Sequence, residues 1–141
     1  MALLTAVTVS SDSFAGSTQR AQVRMTPRKA TLLTFAGYWY GHTRGLVITV
    51  GGLAQESISD GCCRPVIDLQ FGLSHPRGTP RDATALVTVT VVRVLEKGVF
   101  SKAYPAPRVG EVRLLRLKNG VITEPLTGTN YCAPHRNVCG A

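Results

Sequence analysis

Apolar and polar side chains alternate along this chain with a period of two, the spacing of strands that bury one face. The longest such stretch spans 83–95 and contains Leu86-Val87-Thr88-Val89-Thr90-Val91-Val92-Arg93-Val94. Its threonines fall between valines, so one face is buried and the other is wetter. Residues 111–117 and the run Val66-Ile67-Asp68-Leu69-Gln70-Phe71 predict two more strands. Asn119-Gly120 predicts a tight hairpin turn into a further one. Upstream, 30–36 reads as a strand, followed by an aromatic turn, Tyr38-Trp39-Tyr40, between Gly37 and Gly41. A second strand over 45–50 completes a predicted hairpin that ends at Gly51-Gly52. Residues 52–65 read as a loop with helical character around Gln55-Glu56-Ser57, and 74–81, with two prolines and a glycine, as a turn. Helix signals are scarce. The expectation is a small α+β domain, mostly antiparallel sheet with few short helices.

A chain of 141 residues fits one domain with its own core. Residues 1–30 divide from it as an extended basic arm, leaving 31–141 as the β-rich domain. With 16 Lys plus Arg against 8 Asp plus Glu, the chain favours anionic partners such as RNA or an anionic membrane surface. Arg20, Arg24, Arg28 and Lys29 concentrate that charge in the arm, and Pro27 interrupts any helix there. Abundant Val, Thr, Leu and Gly argue against disorder. Four cysteines, two of them adjacent (Cys62-Cys63), do not make a secreted disulfide scaffold. The first seven residues lack the basic start and long apolar core of a signal peptide, and no window reaches the ~20 apolar residues of a spanning helix. A reducing, cytoplasmic setting is the expectation, with any membrane contact peripheral.

The candidate chemistry centres on Cys132. It lies in Leu126-Thr-Gly-Thr-Asn130-Tyr-Cys132-Ala-Pro-His135, after residues suited to cap a helix and before Pro134, which suits a first turn. A thiol at a helix N-terminus has its thiolate stabilised by backbone amides and the helix dipole. A nucleophile also needs a base, for which His42 is the first candidate and His135 the second.

These two segments resemble the boxes of the H-box/NC proteins. Leu33-Thr-Phe35-Ala-Gly37-Tyr38-Trp-Tyr-Gly-His42, followed by Leu46-Val47-Ile48-Thr49-Val50-Gly51-Gly52, is similar to the H-box, and the Asn130 to His135 segment to a loosened NC box. That group includes the lecithin:retinol acyltransferase-like enzymes and the 2A proteins of some picornaviruses, such as kobuviruses and parechoviruses. The resemblance implies a permuted NlpC/P60 papain-like fold, a helix carrying Cys132 as nucleophile, and a sheet carrying His42 as base. It also implies a viral non-structural role in RNA replication or host-factor contact, in the host cytoplasm. Tyr131 intervenes between Asn130 and Cys132, and one inserted residue rotates a helix by about 100°. A thiol so displaced misses its base, so the expected role is non-catalytic, with an active phospholipid acyltransferase as the alternative.

Two further readings use other residues. Cys132, His135 and Cys139 have zinc-ligand spacing, and Cys62 or Cys63 could complete a site. No cofactor is the first expectation and zinc the alternative. Exposed Tyr38, Trp39 and Tyr40, with the arginine excess, could stack and bind RNA bases. The Val/Thr-rich strands and basic arm would also suit a small coat-like subunit. His75, beside Pro76 in a polar turn, reads as a surface residue.

Overall fold

A strand at a sheet edge leaves a row of unpaired N–H and C=O groups, and closing the sheet on itself removes such edges. A computed structural model describes residues 26–61, 63–103, 105–134 and 139. Its strands are β1 Gly37–Gly41, β2 Arg44–Ile48, β3 Leu53–Ser59, β4 Pro65–Thr79, β5 Asp82–Val94, β6 Val112–Lys118, β7 Val121–Glu124 and β8 Thr129–Cys132. Each pairs antiparallel with the next, and β1 closes on β8, giving an up-and-down barrel. The small antiparallel sheet expected from the alternation is present. Helix is almost absent: the described residues hold one 3-10 turn, Leu32–Thr34.

Inward positions fill the barrel, as expected when eight strands close. Leu46, Leu69, Phe71, Val87, Leu115 and Ile122 are all fully or almost fully buried, each contributing roughly 1.5–3 kcal/mol by leaving water. Phe35, from the 3-10 turn, plugs one end. The Trp39 indole N–H donates to the Phe35 carbonyl at 2.8 Å, which satisfies a buried donor and fixes the plug. At the same end, the Ala30 N–H donates to the Gly78 carbonyl. The Asn119-Gly120 turn has positive φ at both residues, 51° and 78°, as a type I′ hairpin requires.

Four expectations about elements need correction. Residues 30–36 do not form a strand, because Leu32–Thr34 turns tightly and the Thr34 hydroxyl accepts the Thr31 N–H. The aromatic segment is not a turn but β1; Trp39 alone faces the core, while Tyr38 is exposed and Tyr40 half-buried. The 52–65 loop contains β3, with Ala54, Glu56 and Ile58 inward. The 74–81 turn is confined to Pro80-Arg81, since β4 continues to Thr79 through a register shift between Ser74 and Arg77. Cys132 lies in β8 and not at a helix N-terminus. Of the basic arm, Arg20 and Arg24 lie outside the described residues, while Arg28 and Lys29 are exposed in irregular chain.

Gly78 lies in β4 two residues before the Pro80-Arg81 turn with φ 95°, and a Cβ there would run into the Asp82 carbonyl oxygen. Gly78→Ala should therefore cost about 1–3 kcal/mol, read as a lower urea midpoint at unchanged slope.

Candidate functional site

The end of the barrel opposite Phe35 carries its buried polar groups. Glu56 of β3 and Glu124 of β7 occupy inward positions in otherwise apolar alternations, and both are fully buried. Tyr131 and Thr129 come from β8, Arg44 from the start of β2, and Thr127 from the β7–β8 loop. The Tyr131 hydroxyl donates to Glu56 Oε1. Glu124 accepts the Leu126 N–H, the Thr127 N–H at 2.8 Å and the Thr127 hydroxyl at 2.7 Å. The Thr127 hydroxyl also lies 3.2 Å from Glu56 Oε1 and 2.9 Å from the Thr129 hydroxyl. Arg44 donates through its terminal guanidinium N–H to Thr129 Oγ1 and through Nε–H to the His42 carbonyl.

The two carboxyls differ in how well they are served. Three donors converge on Glu124, which suits a carboxylate. Glu56 has one donor close by, from Tyr131, and its Oε2 is buried with no hydrogen-bond partner in the protein. Burial is the main reason that Glu56 rises to about 8, and the nearby charge of Glu124 adds to it; Tyr131, Thr127 and Arg44 pull the other way. Glu124 is also raised, again chiefly by burial, but its hydrogen bonds to Thr127 and Leu126 counter this. Burial thus favours the protonated form of both carboxyls, and at Glu124 the converging donors oppose it. Burial and the Glu56 carboxyl raise Tyr131 further above the ordinary phenol range, so it stays a donor.

Above this cluster lies a cavity of about 1090 Å³. Its walls come from the ends of β2, β3 and β4, the long β5–β6 loop and the β7–β8 loop. Ile58, Ile67, Phe100 and Leu126 make much of it apolar, and Arg44, Arg108 and Arg113 supply charge. Thr127 joins the two features, because it lines the cavity and also bonds both glutamates.

The residues singled out in the sequence fall elsewhere. Cys132 is fully buried and joined to Cys139 in a disulfide, with Cα atoms 5.5 Å apart. A disulfide sulfur is neither a thiolate nucleophile nor a zinc ligand. Cys63 is also disulfide-bonded, and no cysteine among the described residues is free, contrary to the expectation of reduced thiols. His42 lies exposed in the β1–β2 turn, two residues beyond Tyr40, the register partner of Cys132. His135 lies outside the described residues. Among the described residues no group of three His, Cys, Asp or Glu side chains could hold a metal ion. His75 is exposed, as expected, with positive φ. Tyr38 and Tyr40 border a separate outer-face hollow over Gly45, whereas Trp39 cannot stack on a ligand there because it is inside the barrel.

Sequence reasoning missed Glu56, Glu124, Thr127 and Tyr131. The available signal was an acidic residue at an apolar phase of the alternation, in Ala54-Glu56-Ile58 and in Ile122-Glu124. No protein-family model, curated protein or solved structure matches this chain.

Glu56 binds its proton more tightly when folded, so its contribution to stability is greatest in acid and declines as pH rises from about 4.5 to about 8. Glu124 shifts in the same direction. Glu56→Gln, which imitates the neutral acid, should flatten the fall in Tm across this window. A variant that loses stability between pH 5 and 8 as steeply as the parent would show that Glu56 is not the proton holder. In denaturant, iodoacetamide should label neither Cys132 nor Cys139 before reduction and both afterwards, as read by peptide mass spectrometry. Labelling of Cys132 without reductant would restore it as a candidate nucleophile.

Proposed function

We propose that this chain is a β-barrel binding protein that holds a small organic molecule in the cavity at the open end of the barrel. One observation carries the reading: the cavity adjoins the buried Glu56–Glu124 cluster and shares Thr127 with it. Ligand sites are commonly apolar concavities with a few convergent polar groups, often in barrel mouths. The partner in this reading is a small molecule, and a buried carboxyl pair gives the cavity a stiff polar base.

Acid–base catalysis is a second reading, favoured by the unpartnered Oε2 of Glu56 and by a proton affinity suited to exchange near neutrality. It places proton transfer at Glu56, with Tyr131 and Thr127 as positioning groups. The Cys/His acyltransferase reading would instead need Cys132 reduced and exposed. The viral replication role and a permuted papain-like fold draw on Cys132 and His42, and the present proposal does not use them. A Cys132–Cys139 disulfide suits an oxidising compartment better than the cytoplasm.

Native mass spectrometry of the purified chain, and ligand-observed NMR with a mixed small-molecule library, test the proposal. Small molecules should bind, and Ala106→Trp, which adds bulk to the cavity wall, should weaken binding with little change in Tm. Binding unaffected by Ala106→Trp would place the ligand elsewhere.

A further inference from the structure

We infer that the open-end cavity selects amphipathic organic anions, with an apolar body against the loop and barrel walls and the anionic head at Arg108. The inference rests on the cavity being a ligand site and goes beyond that reading in naming the ligand's chemistry. Three arginines and one glutamate line the cavity, so its charge is positive even before the excess of the whole chain is counted.

The arginines differ in what they already do. Arg44 is committed to Thr129 and the His42 carbonyl. Arg113 pairs with Glu111 through both its terminal and its Nε nitrogen, on Glu111 Oε1. Glu111 Oε2 accepts the Arg108 backbone N–H at 3.0 Å, so both carboxylate oxygens are occupied. Those donors, the Arg108 backbone first, hold Glu111 below the usual carboxylate range. The Arg108 guanidinium makes no hydrogen bond or ion pair among the described residues, although its charge acts on Glu111. It is an exposed cation at the rim of a concavity whose wall is part apolar and part polar. A fork of N–H donors in that setting matches a carboxylate, sulfonate or phosphate.

The rest of the wall determines the ligand's other end. Phe100 packs against the core, and Pro105 and Pro107 stiffen the loop that carries it. Ile58, Ile67 and Leu126 face the same space. A wholly polar anion would leave Ile58, Ile67, Phe100 and Leu126 without an apolar partner, so an apolar body fits this part of the wall. A wholly apolar ligand would leave Arg108 unused.

The test is a fluorescence titration of the full chain with dansyl-labelled undecanoic acid and, separately, its methyl ester. The acid should bind at least about tenfold more tightly than the ester, the scale of one charge-assisted hydrogen-bond pair. Arg108→Ala should remove most of that preference, Arg108→Lys should keep part of it, and Arg93→Ala, on the exposed outer face of β5, should leave it unchanged. The preference should also shrink in high salt. Equal binding of acid and ester would overturn selection for anions while leaving the cavity a ligand site. Acid preference insensitive to Arg108→Ala would overturn the assignment of the head group. Binding of neither probe, with no small molecule found by native mass spectrometry, would overturn the cavity reading itself.

Discussion

The barrel depends on its seam. Seven of the strand pairings join neighbours in sequence, but the eighth must bring the first strand to the last, and there the register holds a single pair, Tyr40 with Cys132. A backbone ladder this short leaves little to keep the cylinder shut. The buried polar cluster supplies what the ladder lacks. Arg44 on β2 reaches Thr129 on β8, and Glu56 on β3 accepts from Tyr131 on β8, so side chains inside the barrel tie both sides of the seam. Breaking such a bond strands a buried polar group, which costs about 1–3 kcal/mol. The disulfide from Cys132 anchors the strand's far end.

This arrangement gives the two ends of the barrel opposite characters. Phe35 and Trp39 close one end with apolar bulk and one internal hydrogen bond. The other end is held by carboxyls, which must have donors brought to them, and by hydroxyls that supply some of those donors. The β7–β8 loop is bent so that its own amides serve Glu124, and in bending it becomes part of a cavity wall. The hollow at this end therefore follows from the way the seam is fastened. The polar cluster and the cavity wall share Thr127, and each constrains what the other can change.

Legibility in the sequence followed the rule that a strand announces itself when its inward residues are apolar. β5 and β6 were readable because Val87, Val89, Leu115 and Leu117 fall in phase. The Asn119-Gly120 turn was readable because few residue pairs tolerate positive φ twice. β3 is masked by the residue that matters most in it: Glu56 at an inward position breaks the alternation and gives the segment a helical look. Flanking glycines give the Tyr38-Trp39-Tyr40 segment the look of a turn, whereas Gly41 is required where the Asn130 carbonyl crowds the strand end. Cys132 and His42 drew attention by residue type, yet local sequence says nothing about oxidation state or about which β-strands adjoin. The Glu56–Glu124 pair spans β3 and β7, and only the closed topology brings it together.

The meeting of β1 and β8 has a further consequence for chain connectivity. In an up-and-down cylinder every strand occupies an equivalent place, and where the numbering starts is an accident of the covalent backbone. With Tyr40 and Cys132 side by side, a short linker could join the barrel's two ends, and new termini could be opened at another exposed turn, such as Pro80-Arg81. The seam would then become an ordinary hairpin, and the weakest junction would move to wherever the chain was cut.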